Sequence, residues 1–240
     1  ITVAAAGPTQ DLCNVTSGVL AANSVKVSET GTWTNVSGSG AAASANDPNS
    51  AVTGLTVGLT TVLRWTITSQ FGACGPSSSD VTINVDSATT VAAAGGNQDL
   101  CDATTATLAA NSVKVSETGT WSTVSGTGSA SSINDENSGV VGLTVGLGVT
   151  TTFKWTITSE FGGCAATSDD IVITSDPNPT TTITPDPSVV CSAVDLVING
   201  NPAGGSGIYV THAWTGDTGP LSSTAVANPT LNGVAATYNL

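Results

Sequence analysis

Hydrophobic and polar residues alternate along several short stretches of this chain. The alternation is clearest at 61–68, where Leu63, Trp65 and Ile67 would face one way and the polar residues between them the other. Turn-forming Gly, Asn, Asp and Pro residues separate these stretches, and no window keeps the period of a helix. The pattern predicts an all-β chain. In the first unit of the chain, the predicted strands are 2–6, 18–23, 30–36, 51–56, 61–68 and 80–85.

The chain contains an internal repeat. The segment LAANSVKVSETGTW occurs at 20–33 and again, unchanged, at 108–121, an offset of 88 residues that grows to 90 after the loop at 148–152. A third and more divergent unit begins near Thr180. A period this long is typical of a small free-standing domain rather than of a solenoid repeat. We therefore predict three domains, the last one incomplete at its C-terminus: 1–88, 89–178 and 179–240.

Each complete unit has about seven predicted strands, with a tryptophan on an early strand and another on a late one. This arrangement favours tandem immunoglobulin-like β-sandwiches in an extended array, with a small barrel as the alternative. The tryptophans fall at inward-facing positions, so we expect them to pack in the core rather than to stack on sugars. They are Trp33, Trp65, Trp121, Trp155 and Trp214.

Composition excludes several functions. Only 9% of the residues are charged, and 17 acidic against 4 basic residues leave a net charge of −13. Nucleic-acid binding needs a positive surface, which four basic residues cannot supply. Thr, Ser or Gly interrupts every apolar run, so no membrane span is expected. A hydrophobic content of 39% and a mean hydropathy of +0.21 argue against disorder.

The five cysteines are distributed over the repeats. Each complete unit holds one pair, Cys13 with Cys74 and Cys101 with Cys164, and Cys191 belongs to the third unit. One pair per unit favours a disulfide within each unit and an oxidising, extracellular setting. The alternative joins neighbouring units, for example Cys13 to Cys164. We expect the partner of Cys191 to lie beyond Leu240.

No arrangement of nucleophile and base, and no paired carboxylates, point to catalysis, so we expect a non-enzymatic protein without a cofactor. Calcium is the alternative, because oxygen-rich turns and acidic junctions could hold a hard cation. The candidate ligands are Asp47, Asp135, Asp86 and Asp176. No D-x-D-x-D-G loop accompanies them.

Four motifs carry a family resemblance: AG-x-x-Q-D-L-C, the G-T-W strand, the N-D-x-N-S turn and the WTIT-x-x-FG-x-C-G hairpin. They resemble the repeats of very large surface proteins of the Bacteroidota, and the third unit is similar to PKD-like modules. Within that class, near-identical tandem copies resemble the SprB-like gliding-motility adhesins, which are exported by the type IX secretion system. The resemblance implies a cell-surface, outer-membrane-associated filament that binds motility or anchoring proteins and an extracellular surface or polysaccharide.

The same resemblance bears on modification and on the competing functions. Asp86-Ser87-Ala88 is similar to the O-glycosylation sequon of these bacteria, which makes Ser87 a candidate glycan site. A stalk or adhesive array for surface attachment and gliding motility is the function we expect. The alternatives are a subunit of an extracellular lattice or sheath, and the spacer domains of a secreted polysaccharide-degrading enzyme.

Overall fold

A computed structural model describes residues 1–72, 74–185, 195–216, 218–232 and 238–239. Over these residues the regular structure consists of strands alone, as the alternating pattern predicts. Cys191 lies outside the described residues. The strands fall into the first repeat (module 1), the second repeat (module 2) and the C-terminal unit (module 3).

Module 1 is a sandwich of two sheets. One sheet has the order β1-β7-β6-β3, with β1 parallel to β7 and the other neighbours antiparallel, and the second has the order β2-β5-β4. The strands are β1 Gln10–Cys13, β2 Ser17–Val19, β3 Glu29–Ser37, β4 Ala41–Ala42, β5 Ala51–Thr53, β6 Thr60–Ser69 and β7 Ser77–Asp86.

Module 2 repeats this topology strand for strand. Its sheets have the orders β10-β13-β14-β8 and β11-β12-β9, and β8 is parallel to β14. A register shift near the end of β10, between Thr123 and Ser125, matches one between Asn35 and Ser37 of module 1. The strands are β8 Gln98–Cys101, β9 Thr105–Thr107, β10 Glu117–Ser125, β11 Ser129–Ala130, β12 Gly139–Val141, β13 Thr150–Ser159 and β14 Thr167–Asp176.

In module 3, the described strands form three antiparallel pairs: β15 with β17, β16 with β19 and β18 with β20. Its hydrophobic core cluster consists of Ile198, Trp214 and Leu231. The strands are β15 Thr180–Thr184, β16 Asp195–Val197, β17 Asn199–Ala203, β18 Thr215–Gly216, β19 Thr230–Asn232 and β20 Tyr238–Asn239.

Paired tryptophans fill the core of each complete module. Trp33 on β3 lies opposite Trp65 on β6, with ring centroids 5.1 Å apart and planes tilted by 43°, and the equivalent pair in module 2 repeats this geometry. The five tryptophans are all buried, at most 4% exposed. Offset, tilted packing of this kind is favourable for aromatic rings. The tryptophans therefore contribute to stability and are not available to stack on a sugar.

The prediction of a strand at 2–6 is wrong. This stretch is extended, but side chains rather than a neighbouring strand satisfy its backbone. Glu29 Oε1 accepts the N–H of Thr2 at 2.7 Å, Ser77 Oγ accepts that of Ala4 at 2.9 Å, and Asn23 Oδ1 accepts that of Ala5 at 2.9 Å. The first strand begins later, at Gln10, and β1 was missing from the predicted set.

Candidate functional site

The turn carboxylates named as candidate calcium ligands make local hydrogen bonds. Asp47 Oδ1 accepts the N–H of Asn49, and Asp135 Oδ1 accepts that of Asn137, both at 2.9 Å. The Asp47 carbonyl also accepts the indole N–H of Trp33 at 3.1 Å. Over the described residues, no three or more His, Cys, Asp or Glu side chains group to hold a metal ion. The turn of module 1 therefore helps to hold the core residue Trp33 in place.

The junction between modules 1 and 2 contains a disulfide. Cys13, the last residue of β1, is bonded to Cys164, which lies in the hairpin between β13 and β14. The favoured pairing within each module is therefore wrong, and Cys74 and Cys101 are free, exposed thiols. The alternative that joined Cys13 to Cys164 is the observed bond.

Strand topology explains why the bond crosses the junction. Parallel pairing places Cys13 beside Asp86, at the last residue of β7, whereas Cys74 precedes the first residue of that strand. The 10 residues of β7 separate these ends by roughly 30 Å at about 3.3 Å per residue. Bonded cysteines have Cα atoms within about 7 Å. A bridge from Cys13 to Cys74 is thus sterically impossible in this fold.

A buried carboxylate holds the hairpin of module 2 against module 1. Asp86, the last residue of β7, is 3% exposed. Its Oδ1 accepts the N–H of Phe161 at 3.2 Å, and its Oδ2 accepts that of Gly163 at 2.8 Å. Hydrogen bonds between a carboxylate and backbone N–H groups are stronger than neutral ones. Asp86, one of the four candidate calcium ligands, therefore anchors the next module through its backbone.

Gly163 allows the hairpin to approach β1 closely. A Cβ atom built on this glycine would lie 2.6 Å from the carbonyl oxygen of Leu12 and 2.8 Å from its nitrogen. Real Cβ contacts are never this short, so backbone would have to move for any other residue. Cys164, next in the chain, is 6% exposed beneath this contact.

Two side chains of module 2, Lys114 and Glu117, bind the linker between the modules. Lys114 Nζ donates to the carbonyl of Ala88 at 2.8 Å and lies 3.6 Å from Glu117 Oε1. The same Glu117 oxygen accepts the N–H of Thr90 at 2.7 Å. Burial raises the pKa of Glu117, but hydrogen bonds from Lys114 and Thr90 outweigh it and leave the pKa below its ordinary value. The ionised form of Glu117 is thus the one that these hydrogen bonds stabilise.

The candidate glycan site lies within this junction. Ser87 is half-buried, and its carbonyl oxygen is 3.3 Å from Cys164 Sγ. Glycosylation of Ser87 stays a prediction. At the other end of module 2, Asp176 accepts the N–H of Gly148 within its own module.

Two facing sheets with a parallel first and last strand define an immunoglobulin-like sandwich, and this chain carries it twice in tandem. A three-immunoglobulin-domain structure of titin, an E-to-A mutated variant, is 11% identical with a TM-score of 0.57, covering 96% of this chain and 87% of that one. This likeness confirms the predicted fold class.

Two further structures match over nearly the whole chain with lower scores. Dpr2 in complex with DIP-Theta gives 8% identity and a TM-score of 0.48, covering 97% of this chain and 90% of that one. Immunoglobulin domains 1–4 of Sidekick-1 are 11% identical with a TM-score of 0.44, covering 95% of this chain and 67% of that one. No protein-family profile matches the chain. No curated protein matches it either.

Within the described part of the chain, no helix is long and apolar enough to cross a membrane. The disulfide at the junction is typical of a secreted or extracellular protein, because reducing compartments keep thiols free.

Proposed function

We propose that this chain is a non-enzymatic stalk segment of a long filamentous adhesin on a bacterial cell surface, acting in surface attachment and gliding motility. The observation that carries the proposal is the Cys13–Cys164 bond between consecutive modules. The family resemblance of the repeats supplies the setting: type IX secretion, association with the outer membrane, and a filament moved by motility or anchoring proteins.

The bond would let the filament carry tension without unravelling. A pull on the two ends of the chain passes from residues 1–13 directly across the disulfide to residue 164. The 151-residue separation between the bonded cysteines is then shielded from the force. Module 1 after β1 and module 2 before β14 lie inside this loop, so these parts of the chain cannot be extended while the junction stays oxidised. A stalk that transmits force from a moving cell surface needs this property.

Multivalency would supply adhesion along the length of the array. Tandem copies raise the effective concentration of each weak contact with a surface or polysaccharide. The short junction, fastened by Asp86 and Lys114, would keep neighbouring copies at a fixed spacing.

Single-molecule pulling from the two ends of the oxidised chain tests the mechanical role. Reduction should release the shielded loop, adding roughly 500 Å of contour at about 3.3–3.6 Å per residue. A Cys13→Ser chain should show that added length without reductant, and a Cys74→Ser chain should behave as the natural one.

Full extension of both modules under oxidising conditions would contradict the proposal. So would electron micrographs in which the purified parent protein forms ordered side-by-side arrays instead of single extended rods. That outcome would favour the lattice or sheath alternative.

A further inference from the structure

The C-terminal end of module 2 has the same geometry as the part of the junction that module 1 contributes. Cys101 pairs in parallel with Asp176 just as Cys13 pairs with Asp86. The residue after each cysteine has a left-handed φ, 49° at Asn14 and 52° after Cys101. In both cases that residue's N–H donates to the aspartate's carbonyl, at 2.8 Å and 2.7 Å. The Cys101 thiol is nevertheless free and exposed.

The β6–β7 hairpin of module 1 corresponds to the part of the junction that module 2 contributes. Cys74 occupies the place in the β6–β7 hairpin that Cys164 occupies in the β13–β14 hairpin. Under module 1, Cys164 is buried and Phe161 is half-buried. Without a module above them, Cys74 is exposed and Phe71 is 80% exposed. An aromatic ring exposed next to a free thiol on an otherwise hydroxyl-rich surface indicates a face that a partner covers.

We propose that Cys74 and Cys101 are the open halves of inter-module disulfides: a preceding module of this same type completes the bond at Cys74, and the module that follows completes the bond at Cys101. The Cys101 thiol of one module would bond the hairpin thiol of the module that follows, and the Cys74 thiol would bond the module that precedes it. Because Cys101 lies inside the loop closed by Cys13 and Cys164, successive loops would overlap. This inference rests on the junction geometry and does not depend on an adhesive role.

The bond forms by thiol–disulfide exchange. One thiolate attacks a small-molecule disulfide such as oxidised glutathione, which releases one glutathione and leaves a mixed disulfide. The second protein thiolate then attacks that mixed disulfide and releases the other glutathione. Two thiols lose two protons and two electrons, and one oxidised glutathione becomes two reduced ones.

One sequence difference predicts how easily the new junction closes. Module 1 has Ala73 where module 2 has Gly163. A Cβ at the glycine position would press on the backbone of Leu12, so a docked Cys74 hairpin requires a small displacement. Closure at Cys74 should therefore be slower than closure at Cys164, and Ala73→Gly should accelerate it.

The test uses the full chain extended at its N-terminus by a second copy of residues 1–178. Joining Asn178 of the added copy to Ile1 keeps the linker length found between Asp86 and Thr90. Cys74→Ser in the added copy and Cys101→Ser in the natural copy leave one Cys101 facing one Cys74. After equilibration with reduced and oxidised glutathione, maleimide labelling and peptide mapping report each thiol.

We expect Cys101 and Cys74 to lose maleimide reactivity and to appear in one linked peptide pair. Asp176→Ala in the added copy should slow this bond, because Asp176 is the counterpart of Asp86. The matched control Asp170→Ala removes an exposed carboxylate that pairs with Lys154 at 3.3 Å and should leave the rate unchanged.

Formation of the Cys13–Cys164 bond in both copies proves that the extended chain has folded. If Cys101 and Cys74 then stay reactive, the inference is overturned. It is also overturned if their bond forms at the same rate with and without Asp176, because chance collision of two tethered thiols needs no docking.

Discussion

At the scale of single residues, two glycines determine how the core tryptophans pack. Gly31 on β3 and Gly119 on β10 lie against the six-membered ring of Trp65 and Trp155, so closely that a Cβ at either position would overlap ring carbons. The indole N–H groups of these two tryptophans are buried without a hydrogen-bond partner. Each unpaired indole N–H costs about 1–3 kcal/mol, which the rest of the module must offset.

Replacing Gly31 with alanine should destabilise module 1 by roughly 1–3 kcal/mol, because the ring must leave its rotamer to admit the methyl group. Urea unfolding followed by tryptophan fluorescence measures this. Gly75→Ala is the matched control, since nothing lies within 4 Å of a Cβ there. Equal unfolding midpoints for Gly31→Ala and the natural chain would refute this account of the core.

Acid should weaken both modules through one repeated glutamate. Hydrogen bonds from Thr2, and then from the Lys26 N–H, lower the pKa of Glu29 from 4.5 to about 2, and the pKa of Glu117 is also lowered. The folded state thus favours the carboxylate, and its stabilisation is complete above pH 4.5. It is lost as the pH falls toward 2.

Urea unfolding at a series of acidic pH values should show this loss, and the double variant Glu29→Gln, Glu117→Gln should show a shallower one. An identical acid dependence in the variant would mean that other groups control it.

The inward tryptophans could be predicted from alternation in the sequence. The roles of Gly31 and Glu29 could not, because their partners lie 34 and 27 residues away and leave no local pattern.

At the scale of elements, the hairpin between β13 and β14 connects the fold to its neighbour. The strong alternation at 61–68 and 80–85 predicts the two strands β6 and β7, which the structure extends by one to three residues at each end. Strand β1 escaped prediction because only four residues, QDLC, form it, with neither side fully buried. That short strand places Cys13 at the junction, and without it the sequence favoured pairing within each module over the Cys13–Cys164 alternative.

Asp86→Ala should loosen this hairpin. Two partly buried backbone N–H groups would lose their acceptor, at a cost of up to about 1–3 kcal/mol for each group left unsatisfied. Hydrogen exchange at the amides of Phe161 and Gly163 should become faster in the variant. Asp176→Ala, at the equivalent position on the other end of module 2, should leave exchange at these two amides unchanged. Unaltered exchange in Asp86→Ala would show that the disulfide alone holds the hairpin.

At the scale of the whole molecule, a repeated sandwich becomes a covalently connected array. The repeat and its period were evident from the sequence, because long segments recur without change. The disulfide connectivity was not, since separations of 61 residues from Cys13 to Cys74 and 63 from Cys101 to Cys164 are both compatible with bonds inside a domain. Only the parallel pairing of β1 with β7 places those thiols at opposite ends of a strand.

The most direct test of the connected array is a peptide map of the oxidised chain without reduction. Trypsin cleaves after the four basic residues, which places Cys13 on fragment 1–26, Cys74 and Cys101 on 65–114, and Cys164 on 155–240. A second cleavage at aspartate separates Cys164 from Cys191. The bond between modules predicts that the part of fragment 1–26 that contains Cys13 is linked to the part of 155–240 that contains Cys164. Linkage of fragment 1–26 to 65–114 would contradict it.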